Sequence, residues 1–351
     1  MLRSAVDWRD GRLEVVDQTA LPGELRVLEL RTLAEVVAAL RRLAVRGAPA
    51  IGVCAAFGVV VGLGEHQPRD LGEGLALLAG VTAELEAARP TAVNLRWAVR
   101  RVAAAARDQA ANPEGLRRSA LAEALRILDE DRASCRRIAE HGRAELASRQ
   151  RVLTHCNTGR LATSGCGTAL GVVYAKAAAH EPVEVWATET RPLLQGARLT
   201  AWELVEAGIP VTLLPDTAAG AAMAQGLVDC VLVGCDRVAR NGDTANKVGT
   251  YNLAVLARAN GIPFHVAGPL SSFDPDAADG RAIVVEERAA AEVRFLGGAR
   301  LAPDGARVWN PAFDVTPAAL VTAFVTDAGV LRPPFTDSIA RALGGADAPG
   351  R

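Results

Sequence analysis

Aromatic residues, lysine and long apolar runs are all scarce in this sequence of 351 residues. Aromatic side chains make up 4% of the chain, although 50% of its residues are hydrophobic. A globular chain of this length buries at least one large core, so one or two domains are expected. The most apolar stretch, residues 48–63, contains glycines and a proline and falls short of the ~20 residues that cross a bilayer. No membrane partner is therefore expected.

The N-terminal segment lacks the apolar core of a secretory signal. Residues 1–18 are charged and alternating, whereas a signal peptide carries an apolar stretch of roughly 7–15 residues. The six cysteines are scattered, with no CxxC pair and no Cys/His array at zinc spacing, which is the cysteine usage of a reducing compartment. The sequence therefore predicts a soluble, cytoplasmic protein.

An excess of charge of one sign is also missing. The 39 Lys and Arg residues against 40 Asp and Glu residues leave a formal net charge of -1. Without a basic field, the sequence gives no support for a nucleic-acid partner. A small molecule is the expected ligand.

Residues 1–130 are predicted to form a small N-terminal α+β domain. Two short β-type runs, Leu13–Val16 and Leu25–Leu30, flank Leu21-Pro22-Gly23 and predict an antiparallel hairpin. Thr32 is the predicted N-cap of a helix. Helical periodicity predicts helices over residues 33–45, 71–89, 94–111 and 119–148. The domain boundary is placed in the last of these, near residue 130.

Residues 131–351 are predicted to form a Rossmann-like C-terminal domain. Strands alternate with helices here, which is typical of a doubly wound parallel sheet with right-handed crossovers. The predicted strands are residues 151–154, 183–188, 211–214, 230–234, 264–267 and 283–285. The predicted helices end near residue 179 and cover residues 199–207, 218–226 and 248–260.

Reactive side chains follow several of these strands. Cys156 follows the first strand, Gln195 lies beyond the second, and Asp236 follows the fourth. Ligands of open parallel sheets bind outside the carboxyl ends of the strands, so these residues are expected to converge. Cys156 is read as a nucleophile, a proton shuttle or a stabiliser, or else as a small buried hydrophobe. For Asp236 the readings are acid/base catalysis, capping, and metal binding with Asp243, for which no third carboxylate lies at supporting spacing.

Three segments carry groups suited to a phosphate. Arg46-Gly47-Ala48 opens a run of small residues that indicates either an anion-binding helix start or a tight helix–helix contact. Arg89 precedes a proline and either projects to clamp a phosphate or ends a solvated helix. Asn246 and Lys247 are predicted at the opening of a helix, where both would bind a phosphate or hydroxyl. Lys247 is one of two lysines in the chain.

Several motifs in the same order resemble the S-methyl-5-thioribose-1-phosphate isomerase family. They are RGAPAIG at 46–52, ARPTAVNL at 88–95, THCNTGRLAT at 154–163, GTALGV at 167–172, ETRPLLQGARLTAWEL at 189–204 and DRVARNGDTANKVGTYNLAVLA at 236–257. The resemblance covers most of the chain, from about Arg31 to Phe273. Cys235, Arg160 and Cys166 depart from the usual pattern.

The resemblance implies a function and a set of site residues. It implies a dimeric enzyme of methionine salvage that converts an aldose 1-phosphate to a ketose 1-phosphate, with no cofactor and no metal. Cys156 and Asp236 would be the catalytic pair. The groups that contact the sugar phosphate would be Arg46, Gly47, Ala48, Arg89, Gln195, Asn246 and Lys247.

Two alternatives belong to the same superfamily. One is an isomerase of 5-deoxyribose 1-phosphate or ribose 1,5-bisphosphate; the other is a non-catalytic regulatory subunit that binds a sugar phosphate or nucleotide. The chemical route is open too. Asp236 is expected to protonate the ring oxygen, while Cys156 either takes the C2 proton in an enediol route or stabilises a hydride shift.

Overall fold

Two compact units make up the computed structural model, which describes residues 4–90 and 92–345. The first unit contains the residues up to Arg136 together with Gly159–Gly167, and the second contains Arg137–Thr158 together with the residues from Thr168 onward. The predicted boundary near residue 130 lies in the same helix as this division. The assignment of residues 1–130 and 131–351 to two domains stays a prediction.

The first unit begins with a three-stranded antiparallel sheet. Its strands are β1 (Val6–Arg9), β2 (Arg12–Val16) and β3 (Val27–Leu30), paired in that order. The hairpin predicted from Leu13–Val16 and Leu25–Leu30 is confirmed as β2 and β3. Strand β1 was not predicted.

Helices supply the rest of the first unit. They are α1 (Leu33–Arg41), α2 (Ala48–Gly64), α3 (Leu71–Ala88), α4 (Val93–Gln109) and α5 (Pro113–Glu145), of which α5 continues into the second unit. Thr32 caps α1 as predicted, in a capping box with Glu35. Helix α2 is buried on all sides from Ala50 to Leu63, as expected for a segment with almost no polar side chains.

A sheet of seven strands forms the centre of the second unit, counted over the described residues. Its order is β16-β15-β10-β7-β4-β5-β6, parallel except for β16. The strands are β4 (Arg151–Thr154), β5 (Glu184–Thr188), β6 (Val211–Leu214), β7 (Cys230–Val233), β10 (Phe264–Ala267), β15 (Ala323–Thr326) and β16 (Gly329–Leu331). The predicted α/β class with a parallel sheet is confirmed.

Helices and smaller sheets surround these strands. The helices are α6 (Ala169–Ala178), α7 (Ala201–Glu206), α8 (Ala219–Ala224), α9 (Thr250–Ala259), α10 (Ala290–Arg294) and α11 (Phe335–Gly345). A second sheet pairs β11 (Phe273–Asp274), β8 (Arg237–Ala239), β9 (Thr244–Lys247) and β14 (Phe313–Thr316) in that order, and β12 (Phe295–Leu296) pairs with β13 (Ala299–Arg300).

Two predictions about this unit are wrong. Residues 283–285 do not form a strand, and Val284 is 82% exposed; the place beside β10 is taken by β15, which was not predicted. Asn246 and Lys247 lie in β9, whereas α9 begins only at Thr250. They pair with Asp314 and Phe313 of β14, a partner distant in sequence that no local pattern reveals.

None of the helices within the described ranges is both long enough and apolar enough to cross a membrane.

Candidate active site

Cys156 and Asp236 follow two neighbouring strands at the point where the winding of the sheet reverses. From β4 the chain adds β5 and β6 on one side, and then β7, β10 and β15 on the other. Cys156 lies just after β4 and Asp236 just after β7, which pairs with β4. The carboxyl edge at such a switch point is where open α/β sheets bind ligands.

The backbone of Cys156 adopts a conformation that is unusual for a residue with a side chain. Its φ is 61°, in the left-handed region. Its N–H donates to Thr190 Oγ1 at 2.8 Å, and its carbonyl accepts from Thr200 Oγ1 at 2.6 Å. Cys156 is buried, with 9% of the residue exposed. Strained residues held by several contacts cluster at functional sites.

His155 precedes Cys156 and is fixed in one neutral form. Its Nε2 lies 2.8 Å from the carbonyl of Val248, so this nitrogen donates, while Nδ1 accepts from Thr188 Oγ1 at 2.6 Å. Burial lowers the pKa of His155 below its usual value, because the charged imidazolium would lose its hydration. His155 therefore connects β4, β5 and the residues before α9.

Buried polar side chains that were not identified from the sequence form a cluster next to Cys156. Glu203 on α7 has no exposed surface. It accepts from Asn157 Nδ2 at 2.7 Å and from the Tyr174 hydroxyl at 2.9 Å. Asn157 also donates to Thr200, which holds Cys156. The carboxylate, the amide and the phenol are buried and hydrogen-bonded to one another, and such networks make a structure rigid. This cluster therefore helps to fix the segment around Cys156.

Asp236 sits at the start of the second sheet. Its N–H donates to the carbonyl of Ala245 at 2.9 Å, and its side chain is partly exposed. The structure accounts for the cysteine at position 235. A Cβ added to Gly268 would lie 2.2 Å from the sulfur of Cys235. Cys235 fills the space that this glycine leaves. Burial raises its pKa to about 12, which keeps the thiol protonated and inert.

Gln195 lies in the segment after β5 and is well buried. It is 6% exposed and immediately precedes a π-helical turn, Gly196–Thr200. Its Oε1 accepts no hydrogen bond from the residues that the structure describes. Single π-helical turns occur frequently at functional sites, and an unsatisfied buried carbonyl oxygen is suited to accept a hydroxyl.

Lys247 and Asn246 lie together with Asp314 where β9 meets α9. Lys247 Nζ donates to the carbonyl of Ala312 at 2.7 Å and lies 4.7 Å from the ring centre of Phe313. Asp314 accepts from the amides of Gly249 at 2.6 Å and Tyr251 at 3.1 Å. The start of α9 is therefore already occupied by a carboxylate. A carboxylate is stabilised at such a helix N-terminus.

In the first unit, Arg46, Gly47 and Ala48 lie at the start of α2. Gly47 has φ 92°, and a Cβ there would lie 2.5 Å from the carbonyl oxygen of Ala162. Glycine is therefore required at this position. The N-cap makes no side-chain hydrogen bond, and amides at such a helix start favour anions. A Cβ added to Gly52 would lie 3.1 Å from the carbonyl oxygen of Asn94. The tight contact between helices, here α2 and α4, is therefore present as well.

Arg89 ends α3 in the first unit. It has an extended backbone with φ −144°, and its Nη1 is buried. Because Pro90 follows, a helical conformation is disfavoured for Arg89, as predicted from the sequence. Within the described ranges, no group of three or more His, Cys, Asp or Glu side chains is arranged to hold a metal ion.

Comparison with known proteins gives one consistent family. The chain matches the Initiation factor 2 subunit family over residues 44–333. It is 52% identical to the 5-deoxyribose 1-phosphate isomerase of Moorella thermoacetica, and 52% identical to the methylthioribose-1-phosphate isomerase of Desulforudis audaxviator, in each case over 97% of both chains. The crystal structure of 5-methylthioribose 1-phosphate isomerase from Pyrococcus horikoshii is similar with a TM-score of 0.91 and 40% identity, covering 98% of this chain and 96% of that one.

Proposed function

Since the chain belongs to the Initiation factor 2 subunit family and is similar to isomerases within it, we infer that it is a methylthioribose-1-phosphate isomerase. It is an aldose–ketose isomerase that converts S-methyl-5-thio-α-D-ribose 1-phosphate to S-methyl-5-thio-D-ribulose 1-phosphate in methionine salvage. The observation that carries this conclusion is the 52% identity to a methylthioribose-1-phosphate isomerase over 97% of both chains.

We propose Cys156 and Asp236 as the catalytic pair. Their positions after β4 and β7, at the switch point of the sheet, support this assignment. The phosphate on C1 blocks a free aldehyde, so the ring must open with help. Asp236 gives its carboxyl proton to the ring oxygen as the bond from that oxygen to C1 breaks. Cys156 then takes the C2 proton, so that an enol forms between C1 and C2. A proton returned from Cys156 to C1, with loss of the C2 hydroxyl proton to the Asp236 carboxylate, yields the ketose and restores both groups.

The phosphate and hydroxyl ligands are proposals too. Arg46, Arg89 and Lys247 would bind the phosphate by charge-assisted hydrogen bonds, helped by the amides of Gly47 and Ala48. Gln195 and Asn246 would bind hydroxyls. Support comes from the uncapped start of α2 and from the buried, unsatisfied Oε1 of Gln195. Lys247 would have to exchange its bond to the Ala312 carbonyl for the phosphate.

The enol route and a hydride shift differ in the fate of one hydrogen. In the enol route the proton taken by Cys156 exchanges with solvent before it returns to C1. Turnover in deuterium oxide therefore places deuterium at C1 of the ketose, which NMR of the product detects. A product without any deuterium at C1 contradicts the enol route and leaves Cys156 as a polar stabiliser.

A related isomerase activity is the second candidate. The relative from Moorella thermoacetica is named 5-deoxyribose 1-phosphate isomerase at the same 52% identity. The two substrates differ only at C5, away from the proposed chemistry. The test is an assay of the purified protein on methylthioribose 1-phosphate, 5-deoxyribose 1-phosphate and ribose 1,5-bisphosphate side by side. A higher kcat/KM for methylthioribose 1-phosphate is expected, and turnover of none of them favours a non-catalytic subunit.

Asp236→Asn tests the assigned proton donor. The amide keeps the shape of the side chain but has no acidic proton to give, so turnover is expected to fall by at least about 10³-fold. Circular dichroism should show an unchanged fold. Asp276→Asn, at an exposed position, is the matched control and should keep full activity. An active Asp236→Asn variant refutes the role of Asp236.

We further propose a Rossmann-like second domain, a homodimer and a cytoplasmic location. The strand order, which runs outward from β4 in both directions, supports the first. Light scattering of the purified protein tests the second.

A further inference from the structure

Side-chain hydroxyls, not sheet partners, hold both polar backbone groups of Cys156. The N–H is bound by Thr190 Oγ1 and the carbonyl by Thr200 Oγ1, at 2.8 and 2.6 Å. With φ 61°, Cys156 lies in a region that non-glycine residues adopt at a cost of order 1–3 kcal/mol. Such a conformation persists only where the surroundings fix it, so these two hydroxyls hold the backbone from which the thiol projects.

Thr190 is itself in the left-handed region. Its φ is 66°, which is a genuine outlier for a β-branched residue. Its hydroxyl accepts from Cys156 and donates to the Thr188 carbonyl at 3.2 Å. Thr190 has no exposed surface, so a substrate cannot contact it. Its effect on a reaction at Cys156 has to pass through the Cys156 backbone.

Asp216 holds Thr190 in this conformation. Its two carboxylate oxygens accept from the amides of Thr190 and Arg191, each at 2.7 Å. Hydrogen bonds to an ionised carboxylate are short and roughly twice as strong as neutral ones. Asp216 follows β6 and Thr190 follows β5, so the carboxylate fixes the turn after β5 from the neighbouring strand end.

We propose that Asp216 and Thr190 form a relay of positioning residues that sets the thiol of Cys156 for catalysis. The order of contacts is Asp216 to the Thr190 amide, and Thr190 Oγ1 to the Cys156 amide. The proposal rests on the proposed function of Cys156 as a catalytic residue. It assigns neither Thr190 nor Asp216 any contact with the substrate.

Kinetics of Thr190 variants test the relay. Thr190→Val keeps the branched shape but cannot accept the Cys156 N–H, so the strained turn relaxes and the thiol moves. Misplacement of a reacting group by about 1 Å costs about 10²-fold, so kcat is expected to fall by about 10- to 100-fold. KM should change less than about 3-fold, since phosphate contacts are untouched. Thr190→Ser keeps the hydroxyl and should keep kcat within about 3-fold.

Thr212→Val is the matched control. Thr212 is an exposed residue of the neighbouring strand β6, and loss of its hydroxyl should leave both kinetic constants unchanged. A Thr190→Val variant with wild-type kcat overturns the relay. An equal loss in Thr190→Ser and Thr190→Val also overturns it, because the hydroxyl would then not be the group that matters.

Hydrogen exchange of the Cys156 amide gives a second readout that needs no turnover. It should be slow in the wild type and in Thr190→Ser, and at least about 10-fold faster in Thr190→Val, because the amide loses its acceptor. Exchange within β6 should not change. If the wild type turns over no sugar phosphate, the proposed function fails while the exchange rates still decide the relay. Unchanged protection in Thr190→Val overturns the relay even if the enzyme is active.

Asp216→Asn tests the first step, and replaces the valine variant if that variant does not fold. The asparagine carbonyl can accept one of the two amides, whereas its NH2 faces the other. A fall in kcat of about 3- to 30-fold with faster exchange at Cys156 is expected. Unchanged kcat and unchanged exchange remove Asp216 from the relay.

Discussion

At the scale of single residues, burial makes several of the cysteines inert. Cys54 and Cys230 lie in the cores of the two units, and desolvation raises the pKa of each to about 12. The Cys235 thiol is enclosed as well, because it fills the space beside Gly268. The sequence could single out Cys156 because it follows a strand. It could not explain Cys235, whose partner is a glycine that is distant in sequence.

The glycine at position 196 is required by a backbone contact. A Cβ there would lie 1.7 Å from the carbonyl oxygen of Thr188, an atom that cannot move without breaking β5. Gly196→Ala is therefore expected to destabilise the protein by more than about 3 kcal/mol. At Gly80, an exposed position of α3, an added Cβ meets nothing within 4 Å. Gly80→Ala should stabilise the protein by about 0.5–1 kcal/mol. Thermal denaturation measures the Tm of both variants. If the two substitutions shift the Tm in the same direction, the backbone contact at Gly196 is not what requires glycine.

His155 is expected to make the protein less stable in mild acid. Desolvation lowers its pKa in the folded state, while the unfolded imidazole titrates near about 6.5. The unfolded state therefore binds more protons as the pH falls below about 6.5, and stability is lost with a limiting slope of about 1.4 kcal/mol per pH unit. The stabilisation is complete above that pH.

His155→Gln removes this titration but keeps a donor and an acceptor. Its free energy of unfolding should fall less steeply than that of the wild type between about pH 6.5 and 5. Urea unfolding across this range measures both slopes. His66→Gln, at an exposed position, should keep the wild-type slope. Equal slopes for wild type and His155→Gln would show that His155 does not titrate in this way.

At the scale of elements, local sequence pattern predicted most strands of the seven-stranded sheet, but not β9 and β14 of the second sheet. Residues 151–154, 211–214 and 264–267 form strands with the predicted bounds. Two of them, β4 and β10, are buried parallel strands, which occur in the sequence as short apolar runs, whereas β6 at the edge of the sheet is partly exposed. Strands β9 and β14 depend on each other over more than sixty residues. Neither is apolar enough to be recognised alone, which is why the prediction of a helix start at Asn246 and Lys247 is wrong.

Asp314 is the residue that joins this strand pair to α9. Asp314→Ala removes both acceptors of the Gly249 and Tyr251 amides, so a loss of about 1–2 kcal/mol in stability is expected. KM should rise too, since the same junction holds Asn246 and Lys247. Chemical denaturation and steady-state kinetics measure the two effects. Asp276→Ala at an exposed position is the control; if it matches Asp314→Ala, capping of α9 is not the cause.

At the scale of the whole molecule, the proposed site residues are divided between the two units. Arg46, Gly47, Ala48 and Arg89 belong to the first, and Cys156, Gln195, Asp236, Asn246 and Lys247 to the second. The membership of this set stays a prediction from the motifs, and two of its members, Cys156 and Asp236, follow strands of the central sheet. The segment Gly159–Gly167 belongs to the first unit. This could not be predicted from the sequence, because it depends on contacts such as that between Gly47 and Ala162.

This division predicts different kinetic signatures for variants of the two units. Arg89→Ala removes a proposed phosphate ligand and leaves the reactive groups of the second unit intact. The loss of one charge-assisted hydrogen bond should raise KM by about 10- to 100-fold, with a smaller change in kcat. Arg89→Lys should lie between, because it keeps the charge without the planar fork. Arg107→Ala, at an exposed position of α4, should leave both constants unchanged. A fall in kcat alone for Arg89→Ala would place this arginine in the chemistry and not in substrate binding.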